Sequence, residues 1–175
     1  MAKLDDIDSI KALIEIYNAE NALSDVFHWN SVLAKKFDPE GTFYTGICYE
    51  FGYGVAPNAS EALYYYKKAL DRGYHEAYSR LGDIYLNGEL GERIDEQRAF
   101  DLYFRGALID DPYSCYCLAF CYDYYKGTTP NPSQAIYYYE KFLRFKNLDE
   151  RFEKTIDEAS DRLHYLKALQ GINGD

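Results

Sequence analysis

The sequence predicts an all-α solenoid of antiparallel helix pairs closed by a C-terminal capping helix, and three observations carry that expectation. A phrase built around Tyr49, Tyr85 and Tyr122 recurs at spacings of 36 and 37 residues. A second phrase, built around Ala62, Ala99 and Ala135, recurs at 37 and 36. Helix start and stop signals fall between the phrases in the order that paired helices require. Self-similarity at such a period marks a repeat array, in which each unit buries its apolar face only by stacking on its neighbours.

The elements follow in chain order. Residues 5–37 read as a degenerate N-terminal helix pair: SIKALIEIY (Ser9–Tyr17) mimics a first helix, and VFHWNSVLAKKF (Val26–Phe37) mimics a second. Repeat 1 (38–74) contains TGICYEFGYG from Thr45 and NASEALYYYKKAL from Asn58. Repeat 2 (75–111) contains LGDIYLNGEL from Leu81 and DEQRAFDLYFRGA from Asp95. Its Tyr-to-Ala interval is one residue longer, 14 against 13, within Gly88 to Asp95. Repeat 3 (112–147) contains LAFCYDYYKG from Leu118 and NPSQAIYYYEKFL from Asn131.

Ala77, Leu81 and Tyr85 lie four apart and share one helix face, while small Ala77 and Gly82 admit a close neighbour. Gly54 and Gly127 are expected where a left-handed residue ends a helix. Asn58, Asp95 and Asn131 are the expected N-caps of the second helices, with Pro132 at a first helical position and Glu61 and Gln134 at capping-box spacing. In residues 148–170, Phe152, Ile156, Ala159, Leu163 and Leu166 recur at 4, 3, 4 and 3, the pattern of one amphipathic helix with a charged outer face. The expected total is nine helices of about 12–16 residues, each roughly 20 Å long at 1.5 Å per residue.

These phrases resemble the Sel-1-like repeat family, a branch of the tetratricopeptide-like helical repeats. YEFGYGVAPNASEALYYYKKALDRG (Tyr49–Gly73) and AYSRLGDIY (Ala77–Tyr85) carry the resemblance, with Asn58 in place of the family's acid. Trp29 stands at the family's aromatic position; in the third repeat Ala119, Tyr125 and Phe142 depart from it. The resemblance covers about residues 38–147. It implies a right-handed α/α superhelical solenoid, a structural core of Tyr49, Ala62, Ala77, Leu81, Gly82, Tyr85, Ala99, Leu118, Tyr122 and Ala135, and a scaffolding role in protein complexes.

Composition narrows the classes of function. Hydrophobic residues make up 47% of the 175, enough for a continuous core. The 20 tyrosines suit thin layers in which a ring is buried and its hydroxyl reaches the surface. A formal charge of −10 gives no basic footprint for nucleic acid and repels acidic membranes. The start turns acidic within five residues and no apolar run of about 18 residues occurs, so with Met1 present the expected address is cytoplasmic.

A search for chemistry finds little, and neither a catalytic site nor a cofactor is expected. Cys48 and Cys121 precede the signature tyrosine where repeat 2 has Ile84 and the N-terminal pair has Ile16, so they read as small apolar packing residues. Cys115, Cys117 and Cys121 share a helix, but His28, His75 and His164 lie in other elements and no zinc spacing results. Some relatives bridge each helix pair with a disulfide; the matching positions here hold Ala69, Gly106 and Phe142. Gly52-Tyr53-Gly54 follows a helix and lacks a P-loop lysine, and Asn58-Ala59-Ser60 fits a sequon that capping already explains. The carboxylate pairs Asp5-Asp6 and Asp110-Asp111 read as helix-end acids. Certain secreted relatives are associated with β-lactams, an activity for which no nucleophile, base and orienting acid can be assembled here. In the Tyr64–Tyr66 and Tyr137–Tyr139 triplets only Tyr64 and Tyr137 are expected at the surface.

In solenoids of helix pairs the first helices usually line a concave face. Residues two places beyond the core leucine turn about 200° away from it, which selects Phe43, Ile47 and Glu50, then Ser79, Asp83 and Leu86, then Tyr116, Phe120 and Asp123. Apolar anchors beside acids at the level of Glu50 and Asp123 suit a protein segment that is apolar and partly basic. The expected function is a non-catalytic adaptor with another protein as partner. The alternatives are a homo-oligomer using the same stripe, the N-terminal pair or cap helix packing over it, and, last, a hydrolase like the β-lactam-associated relatives.

Overall fold

The computed structural model describes residues 6–146, 148 and 150–171; Asp5 and Asn147, each an end of an expected segment, lie outside them. The described residues form nine α-helices in tandem: α1 (Ile7–Ala19), α2 (Leu23–Lys35), α3 (Pro39–Phe51), α4 (Ala59–Asp71), α5 (Glu76–Asn87), α6 (Glu96–Leu108), α7 (Pro112–Tyr124), α8 (Pro132–Leu143) and α9 (Glu153–Leu169). A 3₁₀ turn (Glu150–Phe152) precedes α9. With no strand among the described residues, the chain is a helical-repeat solenoid.

Local chemistry sets the helix ends. Asn58, Asp95 and Asn131 each accept a hydrogen bond from the backbone N–H three residues on, and so do Asp6, Asp38 and Asp111. Each satisfies one of the orphan donors of a first turn. Pro39, Pro112 and Pro132 occupy first helical positions, where no N–H is missed. The left-handed residue that ends a helix is not Gly54 or Gly127 but the residue two places earlier: Gly52 (φ 75°) for α3 and Tyr125 (φ 63°) for α7. Gly54 and Gly127 are also left-handed, but they let the turn that follows pack against backbone at the start of α2 and of α6, respectively.

The chain divides within α5 into two compact units. In the first (described residues 6–81 and 89–92), α1 and α2 bury Ile10, Ile14, Val26 and Leu33, with Trp29 packed beside them. Ile16, expected to match Cys48, is instead exposed, because α1 turns Ile10 and Ile14 inward. On α3 and α4, Cys48, Ala62, Tyr66 and Ala69 are buried, as are Ala77 and Leu81 at the start of α5. A Cβ on Gly46 would stand 2.9 Å from the Tyr66 ring, so the glycine is what lets the second helix close on the first.

The second unit (described residues 82–88 and 93–171) repeats that device: a Cβ on Gly82 would overlap the Tyr103 ring. Its core joins Tyr85, Ala99, Tyr103, Ala107, Cys115, Cys117, Leu118, Cys121, Ala135, Tyr139 and Phe142 with Ala159 and Leu166 of α9. Tyr49 and Tyr122, expected in the core beside Tyr85, are only half-buried: Tyr49 stacks on Tyr65 and Tyr122 on Tyr138, each pair bridging a first helix to its second.

Candidate functional site

The sequence-selected surface residues divide into those the fold uses internally and those left open. Phe43 is buried, its ring centred 5.2 Å from Tyr66 and 4.9 Å from Tyr74. Ser79 is buried as well, its hydroxyl donating to Glu76 O at 3.0 Å. Both correct the facing assignment; for Phe43 the reason is that the second-helix Tyr66 reaches over the first helix and covers the level that 200° of rotation had placed in solvent. The acids are committed too. Glu50 accepts from the Tyr66 hydroxyl and pairs with the Arg80 guanidinium, which also binds Glu89. Asp83 accepts from the Tyr103 hydroxyl at 2.7 Å. Asp123 takes both arms of Arg162 from α9 at 2.8 Å, besides the Tyr139 hydroxyl at 3.4 Å.

These contacts form one recurring device, in which the buried tyrosine of a second helix finds its acceptor on the paired first helix. A buried hydroxyl without a partner costs about 1–3 kcal/mol, which explains why each repeat supplies an acid for it. Burial, together with the neighbouring carboxylates, holds the Tyr66, Tyr103 and Tyr139 hydroxyls protonated far above the usual tyrosine range. Tyr116 is half-buried and donates to Glu158 of α9, so the cap helix lies over part of the stripe. Phe120 stacks on Tyr124 at 4.6 Å, and Leu86 is half-buried against the core of the second unit.

Ile47 lines a cavity. It faces a groove of about 430 Å³ between α1, α2 and α3, with Ile14, Val26 and Leu33 as apolar lining and Tyr44 and Tyr53 as aromatic walls. Lys11, Glu15, Asn18, Asn30 and Glu40 supply the polar groups. Lys11 Nζ bridges Glu40 at 2.7 Å and Asp38 at 3.2 Å. Burial opposes its charge, but the hydrogen bonds to Glu40 and Asp38 outweigh burial and hold its pKa above the ordinary lysine value. The sequence reading missed Tyr44 and Tyr53. The signal was present as an apolar stripe at Tyr44, Ile47 and Phe51, spaced 3 and 4 beside the core stripe.

The remaining chemistry is packing. All four cysteines are free and buried, and burial pushes the Cys48 and Cys115 thiols up to about 11 and Cys121 to about 12. Among the described residues no cluster of three or more His, Cys, Asp or Glu could hold a metal ion, and no helix is long and apolar enough to cross a membrane.

The Sel1 repeat family model matches residues 39–74, 75–111 and 112–143. The chain belongs to the Sel1 repeat family. Proteins of this family generally scaffold protein interactions and are generally non-catalytic. Chitin synthase regulatory factor 3 of Schizosaccharomyces pombe is 38% identical over 71 residues, 41% of this chain and 8% of that protein. Chitin synthase regulatory factor 4 of the same yeast is 33% identical over 97 residues, 55% of this chain and 15% of that protein. The chain thus corresponds to a small part of these relatives. A Sel1 repeat protein from Oxalobacter formigenes superposes with a TM-score of 0.72 at 24% identity, covering 87% of this chain and 57% of the other. A protective antigen of uropathogenic Escherichia coli strains, displaying an SLR fold, superposes with a TM-score of 0.77 at 24% identity over 95% of this chain and 34% of that one. The two superpositions establish the fold.

Proposed function

We propose that this Sel1 repeat chain is a non-catalytic adaptor that holds an apolar, partly basic segment of another protein in the α1–α3 groove around Ile47. The observation that carries the reading is the groove itself: about 430 Å³, apolar at its base, walled by Tyr44 and Tyr53 and edged by Glu15 and Glu40. Two exposed tyrosines on a rigid helix and its turn offer contact area at low entropic cost, the composition of interface hot spots. The chain's formal charge of −10 draws basic partners toward it. The family's general scaffolding role and the regulatory-factor relatives point the same way.

The test is affinity capture with the wild type beside Tyr44→Ser and Ile47→Ser variants of unchanged melting temperature. A protein held by the wild type and lost from both variants supports the groove as the working surface. Retention of the same proteins by all three moves the function to another face.

A further inference from the structure

Three groups on the groove wall carry an inference that rests on the docking reading and specifies the ligand. Asn30 is buried at 3% exposure, yet it lines the cavity. Its Nδ2 donates to Val26 O at 3.0 Å, which leaves Oδ1 and the second N–H of the amide between the apolar Val26 and Leu33 that α2 gives to the groove. A ligand that displaces water from such groups loses affinity unless it offers matching hydrogen bonds. An amide presents one donor and one acceptor, the complement of a peptide unit. Close by, Asp38 and Glu40 form an anionic pair at the start of α3, and the cation between them is Lys11, a side chain from a different helix. Lys11 and Glu40 are only half-covered, so that ion pair is open to exchange.

We propose that the groove takes an extended polypeptide segment in which an aliphatic residue adjoins a lysine or arginine. The aliphatic side chain fills the space over Ile14, Val26, Leu33 and Ile47. Asn30 pairs with the segment's backbone. The basic side chain enters the Asp38–Glu40 pair, and Lys11 is the internal occupant of that position, displaced when the segment binds. Lys11 thereby lowers affinity for segments with a basic side chain at that position, and removing its charge tightens their binding.

The experiment measures binding of the whole chain to capped nine-residue peptide libraries with randomised flanks and a fixed central pair: Leu-Lys, Leu-Gln, Ser-Lys or Leu-Glu. Leu-Lys is expected to bind best and Leu-Glu worst. Lys11→Gln tightens Leu-Lys roughly fivefold, the size of a half-exposed ion pair, and leaves Leu-Gln unchanged; Glu40→Gln weakens Leu-Lys by about as much. N-methylation at the leucine abolishes binding to the wild type. Both substitutions lie at the surface, and equal melting temperatures certify the fold. Equal binding of Leu-Lys and Leu-Gln, with Lys11→Gln changing neither, overturns the cation position while the docking reading stands. Failure of every library, or full binding by the N-methylated one, overturns the extended segment. A concentration-dependent dimer that Tyr44→Ser abolishes makes a second copy the occupant and overturns both.

Discussion

Gly54 and Gly91 separate two costs that are usually confounded. Both belong to the first unit and both are left-handed, at φ 71° and 80°. An alanine pays about 1–2 kcal/mol for that conformation in either place. At Gly91 nothing stands within 4 Å of the added Cβ, so the conformational penalty is the whole cost. At Gly54 the Cβ would lie 2.6 Å from the Leu23 carbonyl carbon and 2.7 Å from Ser24 Cα, while overlapping the Leu23 oxygen. Those are backbone atoms at the start of α2, and they give way only if the helix moves. Overpacking of that kind adds about 1–3 kcal/mol, bringing Gly54→Ala to roughly 2–5 kcal/mol. Urea melts followed by circular dichroism should place Gly54→Ala at least 1 kcal/mol below Gly91→Ala, with unchanged m-values. Equal losses would refute the claim that Gly54 is there to seat the turn on α2.

Further outcomes follow from the same packing. Tyr125→Gly relieves a non-glycine left-handed cap whose side chain is mostly exposed, and thermal unfolding should show a gain of about 0.5–1 kcal/mol. Phe43→Ser opens a cavity among Tyr44, Tyr66 and Tyr74 and should cost about 3–5 kcal/mol, close to the loss for Tyr85→Ala. The four thiols should resist a thiol reagent such as DTNB at pH 8 in the native state and react fully in denaturant. Raised thiol pKa values mean that the folded chain holds its protons longer than the unfolded one. The linked stability is fully present below pH 9.0 and is lost as the pH rises through about 11 to 12, so urea midpoints should fall over that window.

The repeat architecture was legible in the sequence because its signals are local. Tyr49, Tyr85 and Tyr122 repeat at fixed spacing, and Asn58, Asp95 and Asn131 cap helices through bonds three residues long. Cys48 and Cys121 could be placed in the core because Ile84 stands at the same repeat position. Facing was not legible to the same degree, since it depends on what lies across the helix. Phe43 lies beneath Tyr66 and Tyr74, residues 23 and 31 positions later, and no periodicity within α3 reports that. The acids at Glu50 and Asp123 looked like the rim of a groove. They are acceptors for buried tyrosine hydroxyls and partners of arginines from later helices. The groove was missed because half of its wall comes from α1 and α2, whose degenerate repeat carries no motif to align.

Photo-crosslinking tests the central claim most directly. p-Benzoylphenylalanine replaces Tyr44 on the groove wall in one protein and Tyr137, exposed on α8, in another. Each is irradiated in an extract of cells that express the chain. The account predicts a discrete adduct from position 44 whose crosslinked peptide holds an aliphatic residue beside lysine or arginine, with no matching adduct from position 137. A partner captured from position 137, with none from position 44, would contradict it.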